Sequence, residues 1–321
     1  MSDPGKIVNG TLSVIVLSNP IPSHPSTDLI NQTLESLNKI GLGPGDTVHI
    51  MLDGLRLTQR LGQQARDYTN YEIALKNQLG QQANFSVTRR KKWGHISQTL
   101  KEALAFIDTD YILIVQHDLL FVREIAIHEL IGLMKKFPNL KHIRFNKRRN
   151  LPEGSDAKAT YDGATKIVDR SGFFREWRSP EPATGTGTGT GTGTLSLTQT
   201  LCWSDNNHLV SRHYLSETIL KPIGRHKLSP EWVFNPLGTE AHHPILGTYI
   251  YGKPGDAAVI AHTDGRAAGR PKPAEAPHKK SSLFLRTLWS HIYFSLLRRR
   301  LRRIQRKALR AWPYAPEDRG L

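Results

Sequence analysis

Apolar positions recur along this chain in two periods, and their alternation predicts an α/β order. Leu12–Leu17 (LSVIVL) is a short β-branched run that stops at Ser18-Asn19, the profile of a core strand with a polar exit. Thr27–Ile40 sets Leu29, Ile30, Leu34, Leu37 and Ile40 at helical spacing, which predicts an amphipathic helix. Gly41–Asp46 (GLGPGD) is a turn, and Thr47–Leu52 (TVHIML) is a second strand ending at Asp53-Gly54. After Trp93-Gly94-His95, residues Ile96, Leu100, Ala103, Leu104 and Ile107 return to helical spacing until Asp108-Thr109-Asp110. Tyr111–Phe121 (YILIVQHDLLF) is a strand-forming run broken by Gln116-His117-Asp118. The order β-α-β then α-β predicts a parallel sheet. Such sheets place their chemistry at the carboxyl ends of strands, where Asp53 and Asp118 fall. A hard divalent cation takes oxygen ligands of this kind.

The second half adds polar patches between apolar runs. Leu201–Tyr214 reads LCWSDNNHLVSRHY, and Leu228–Leu237 reads LSPEWVFNPL. In the latter, Ser229 reads as an N-cap, Pro230 as a first-turn proline and Glu231 as an early-turn acid. Gly247–Gly252 (GTYIYG) is a strand, and Ala257–Arg266 (AAVIAHTDGR) puts His262 directly after another. Lys147–Ala183 is polar, and its SGFFREW segment is read as a local strand or an acceptor-side element. The Thr-Gly repeat at Thr184–Thr194 has no residues with which to build a core and reads as a flexible surface loop.

From Leu12 to Arg266 the chain resembles the nucleotide-diphospho-sugar transferases of the GT-A fold, of the family-2 glycosyltransferase type. The similarity lies in LSVIVLSNP, in IMLDG and in WGHISQTLKEALAFIDTDYILIVQHD. It implies a GT-A-like, Rossmann-like α/β fold: a mixed, mostly parallel sheet flanked by helices. Ser18, Asn19, Asp53 and Gly94 would then contact the nucleotide of a UDP- or GDP-linked sugar. QHD matches the family's DxD motif with Gln116 in place of the first Asp, leaving Asp118 as the charged metal ligand. Gln116 still offers a hard amide oxygen. His262 matches the late histidine of the family as a second ligand, and imidazole suits Mn²⁺ better than Mg²⁺. Arg266 is expected as a bidentate donor to a diphosphate, with a plain surface charge as the other reading. Inverting members take the acceptor proton with a carboxylate near a helix start; Glu231 matches that position, with Asp205 the competing candidate. The acceptor is a glycan, a lipid or a protein.

Charge separates the end of the chain from this domain. The net charge is +16, and Arg270–Leu321 holds fourteen Lys/Arg against three acids. The domain is expected over 1–266, a Pro/Ala-rich linker over 267–280, a basic amphipathic helix over 281–312 and a short tail over 313–321. The helix places Leu285, Leu288, Trp289, Ile292, Leu296, Leu301, Ile304, Ala308 and Trp312 along one drifting face, with arginines elsewhere. It falls short of a membrane span and predicts an interfacial helix on an anionic leaflet; docking on the domain or nucleic-acid binding are the other readings. The segregated charge and the lack of a recognition motif count against nucleic acid. Met1–Gly10 is polar, so the expected setting is cytoplasmic and peripheral to a membrane. The lone Cys202 excludes an intramolecular disulfide and a cysteine-only zinc site. The functional expectation is a metal-dependent, inverting glycosyltransferase. A catalytically degenerate GT-A domain that binds nucleotide or glycan is the alternative, and a basic-tailed nucleic-acid-binding protein a second.

Overall fold

The computed structural model describes residues 12–152, 158–160, 167–179, 195–263 and 297–312. The first half runs β1 (Leu12–Ser18), α1 (Asp28–Ser36), β2 (Thr47–Leu52), α2 (Gln63–Leu79), β3 (Phe85–Arg89), α3 (His95–Ala103), β4 (Tyr111–Gln116), β5 (Leu119–Phe121) and α4 (Ile127–Lys136). The second half adds β6 (His142–Arg144), β7 (Lys158–Thr160), β8 (Ile167–Asp169), β9 (Arg175–Arg178), β10 (Ser196–Gln199) and β11 (His208–Ser211). A π-helical turn over Tyr214–Leu220 leads into α5 (Lys221–Ile223), followed by α6 (Pro230–Phe234), α7 (His243–Leu246), β12 (Thr248–Tyr251) and β13 (Ile260–His262). A last helix, α8, covers 297–311.

Nine strands form one sheet in the order β3-β2-β1-β4-β11-β6-β12-β10-β9. The pairs β3/β2, β2/β1, β1/β4 and β6/β12 are parallel, whereas β11 and β10 run against their neighbours. Seven of the nine strands thus run in the same direction, so the sheet is mixed and mostly parallel, as the resemblance implies. β1 and β4 are buried on both faces because helices cover both sides; their apolar residues divide between two cores, which is why they read as near-continuous runs.

Two details depart from the apolar pattern. α1 turns Thr33 and Ser36 into the core beside Ile30, because the bend between β4 and β5 needs polar partners. Thr33 Oγ1 donates to the His117 carbonyl at 2.8 Å, and the Phe121 amide donates to Ser36 Oγ at 2.9 Å. α2 buries only Tyr68, Tyr71, Leu75 and Leu79, too sparse a stripe to announce itself in sequence.

The expected interfacial helix is corrected where it is described. Ile304, Ala308 and Trp312 are buried in the core on the α6 side of the sheet, with Leu301 packed against them. Gln305 Nε2 donates to the Val233 carbonyl at 3.2 Å, and the Trp312 ring lies 6.2 Å from Phe234. The described part of the stripe, 301–312, is thus consumed by docking, since α6 and α7 are too short to cover that core alone. No described helix is long and apolar enough to cross a membrane. Residues 281–296, the Thr-Gly repeat and Arg266 lie outside the described residues.

Candidate active site

The order β2-β1-β4 contains a topological switch. From β1 the chain moves to β2 on one side, and β4 later inserts on the other. A crevice opens at the carboxyl ends of strands at such a point. Here it is a cavity of about 310 Å³ whose lining includes Ser18, Asn19, Asp53, Trp93, His95 and Gln116. Four residues expected from different strand exits therefore meet at one site, alongside two that were not expected.

Asp53 is the keystone of its wall. Its Oδ1 accepts from the amides of Gly54 and Gly94, each at 2.8 Å, and its Oδ2 accepts from the His95 amide at 2.9 Å. His95 holds a left-handed φ of 57°, and the consecutive amides of Gly94 and His95 converge on the carboxylate as a nest. A side chain at Gly54 would collide with the backbone of Lys92 and Trp93, with atoms at 2.3 to 2.6 Å, so only glycine lets the two segments meet. Asp53 lines the crevice, but its oxygens are already engaged in building it.

Aromatic and cationic side chains complete the mouth. Arg56 and Lys227 lie 4.9 and 5.2 Å from the centre of the Trp93 ring. His95 lies between Trp93 and Trp232, at ring separations of 6.0 and 5.6 Å. Burial lowers the His95 imidazole below its usual range, Asp53 opposing and Arg56 reinforcing the shift.

Asp118 and His262, 144 positions apart, are brought together by antiparallel pairing of β13 with β5, which sets His262 opposite Leu119. Asp118 Oδ2 lies 3.3 Å from His262 Nε2, and the side chains are 23% and 33% exposed. One hard oxygen and one imidazole nitrogen, open to solvent, fit a divalent ion that fills its shell with water and phosphate oxygens. Among the described residues no group of three His, Cys, Asp or Glu side chains could hold a metal. Gln116 does not join this pair: its Nε2 donates to the Asp205 carbonyl at 3.1 Å. Its role is to tie the crevice to the loop that carries Asp205.

The two candidate bases are interlocked. The Asp205 amide donates to Glu231 Oε2 at 2.8 Å, and Ser204 Oγ donates to the same oxygen at 3.1 Å. In return the Glu231 amide donates to Asp205 Oδ2 at 3.4 Å, and Ser229 Oγ donates to that oxygen as well. Ser229 starts α6, as expected, but does not cap it with its own side chain; it acts through Asp205. The carboxyl of Asp205 is pushed up to about 8, by burial first and the Glu231 charge second. This favours its neutral form near pH 7; by exposure both residues are half-buried. Beneath them Arg144 is wholly buried, donating from Nη1 to the Cys202 carbonyl at 2.7 Å. Burial draws its guanidinium down, and the charge of Glu231 is among the influences that oppose this.

A pH dependence of stability follows. The unfolded chain loses the Asp205 proton near the ordinary aspartate value, about 3.9, whereas the folded chain keeps it until about 8. Between these values the folded state binds more protons, so its stability falls as pH rises. Urea midpoints are expected to drop from about pH 5 to about pH 8, and Asp205→Asn should flatten that decline. An equal decline in the variant would place its origin elsewhere.

Sequence reasoning missed Trp93, His95, Arg56, Lys227, Trp232 and Arg144 as site residues. The Trp-Gly-His triplet before α3 was a visible signal, and Trp232 lies on α6 beside Glu231 in the LSPEWVFNPL run; Arg56 and Lys227 sit on loops and Arg144 on the short β6, with no motif around them.

No protein-family model matches the chain, and no curated protein matches it in sequence. Among solved structures it is similar to S. aureus TarS, with a TM-score of 0.43 and 13% identity over 79% of this chain and 36% of that one. It is also similar to S. aureus TarS 1-349 in complex with UDP-GlcNAc (TM-score 0.44, 12% identity, 86% of this chain and 64% of that one). For the complex of TarS 1-349 with UDP the values are 0.43, 12%, 79% and 60%. The chain spans less than two thirds of each. Likeness of this degree leaves the functional reading to the site itself.

Proposed function

We propose that this chain is a metal-dependent, inverting glycosyltransferase that moves a sugar from a UDP- or GDP-linked donor to an acceptor hydroxyl. The observation that carries the reading is the convergence at the carboxyl edge of the sheet. The crevice is lined by Ser18, Asn19, Asp53 and Gln116, Asp118 and His262 come together from distant strands, and Gln116 reaches across to the Asp205–Glu231 pair. In this reading the nucleotide lies against Ser18 and Asn19, with the Trp93 and His95 rings as an apolar wall. Asp118 and His262 would hold the ion, which when bound supplies positive charge to the departing diphosphate. Glu231 is the base. Its Oε2 is fixed by Ser204 and the Asp205 amide, which leaves Oε1 to receive the acceptor proton. Asp205, whose carboxyl is pushed up by burial and by the Glu231 charge, favours its neutral form beside the base. Arg266 remains the candidate for the diphosphate on sequence grounds.

A donor-consumption screen with UDP- and GDP-sugars, with and without Mn²⁺, tests the reading. Calorimetry on Asp118→Ala should show Mn²⁺-dependent donor binding abolished, because it removes the charged member of a two-ligand site. His262→Ala should weaken it less. Unchanged donor affinity and metal dependence in Asp118→Ala would reject the assignment. Donor binding without turnover on any acceptor would favour the degenerate domain, for which the substitution of Gln116 in the metal triplet is the motive.

A further inference from the structure

We infer that the outer face of α8 is a docking surface for the headgroup layer of an anionic lipid membrane. The helix has two faces of opposite character. Its apolar residues are spent on the domain, with Ile304, Ala308 and Trp312 buried. On the other side the eight cations at 298–300, 302, 303, 306, 307 and 310 are all exposed, and no acid occurs between 297 and 312. Arg299, Arg303, Arg306 and Arg310 follow one another at three- and four-residue spacing and so form a row along the axis. Like charges in such a row repel one another. The packing of the opposite face holds them there, and their summed positive charge suits a dense negative layer.

The surface extends beyond the helix. Lys101, Arg300, Arg303 and Lys307 surround His226, whose imidazole is lowered by burial first and by these cations next. The adjoining Lys227 stacks on Trp93 at the mouth of the crevice. A positive band therefore runs from α8 to that mouth. Lipid fits this band better than nucleic acid. Single strands are held by exposed aromatic platforms along their path. Residues 297–312, which hold most of the charge, offer none, since their one aromatic residue, Trp312, is buried, and the exposed Trp232 lies only at the far end, by the crevice mouth. The sequence immediately before α8 carries Phe284, Trp289, Tyr293 and Phe294 among leucines, a composition at home in a lipid interface. This inference differs from insertion of an amphipathic helix, because the apolar face of 301–312 is not available. It is also independent of the sugar-transfer reading.

The test is cosedimentation of the full chain with phosphatidylcholine vesicles, with and without phosphatidylserine. Binding is expected only to the anionic vesicles and should be lost as salt is raised to about 0.5 M, where charges are screened within a few ångströms. Each Lys or Arg near an anionic surface adds roughly fivefold to partitioning. The combined variant Arg299→Glu, Arg303→Glu, Arg306→Glu, Arg310→Glu should therefore bind at least about a hundredfold more weakly, whereas lysine at the same four positions should bind nearly as the parent does. The salt series and the lysine variant decide the matter even if the glutamate variant unfolds. Binding to neutral vesicles, or binding indifferent to salt, would overturn the inference in favour of apolar insertion. Failure to bind any vesicle, with tight binding to single-stranded RNA, would assign the band to nucleic acid.

Discussion

Glu231→Gln is expected to lower sugar transfer by about two to four orders of magnitude, the range for loss of a general base, while fold and donor affinity are kept. The substitution is nearly isosteric, and the amide oxygen can still accept from Ser204 Oγ and the Asp205 amide, which hold the present Oε2. What it removes is the ability to take a proton. The rate of nucleotide release in the presence of acceptor reads the effect, and calorimetry of donor binding is the control. Asp205→Asn separates the two carboxyls. Burial and then the Glu231 charge push the Asp205 carboxyl up to about 8, which favours the neutral form near pH 7, so an amide there should cost less than about tenfold. Should the order be reversed, with Glu231→Gln active and Asp205→Asn dead, the base is Asp205. If both remain active, neither is the base.

Asp53→Ala is expected to cost about 3–5 kcal/mol of unfolding free energy, because it strips partners from three backbone amides at once and removes a charge-assisted acceptor. Gly54, Gly94 and His95 would keep buried or half-buried N–H groups with nothing to accept from them. The left-handed turn at His95 would lose the contact that compensates its strain. Asn is a poor rescue: one of its two positions donates, and it would face an amide that also donates. Denaturant unfolding checks the figure. A variant within about 1 kcal/mol of the parent that nevertheless loses donor affinity would show that Asp53 serves the nucleotide directly, as the family resemblance implies, and not the wall of the crevice.

The strands at the centre of the sheet were legible from short-range pattern. β1 and β2 appear where LSVIVL and TVHIML place them, and β4 stops at Gln116, because strands in the middle of a covered sheet are apolar at most positions; the exceptions, Ser13, Thr47 and His49, are linked by side-chain hydrogen bonds. The start of α6 at Pro230 after Ser229 was legible for a similar reason: the first turn of a helix has its own local chemistry. The polar exits Ser18, Asp53 and Asp118 were visible as candidates, since α/β order alone places strand ends at a crevice.

Long-range relations decided the rest. Residues 301–312 carry an apolar stripe, but a stripe does not state what covers it; only the uncovered core beside α6 determined that it packs on protein. The pairing of His262 with Asp118 depends on β13 joining β5, a contact across 144 positions that no local period encodes. The choice between Asp205 and Glu231 likewise could not be read from spacing, because both are acids beside turns. In the proposed reading the fold distinguishes them: the Asp205 carboxyl is pushed up beside Glu231, and Ser204 Oγ and the Asp205 amide engage one oxygen of Glu231. Periodicity reports which face of an element is apolar and where it ends. Which surfaces then meet is set by the competition of all such faces for the same core, and that is settled only in three dimensions.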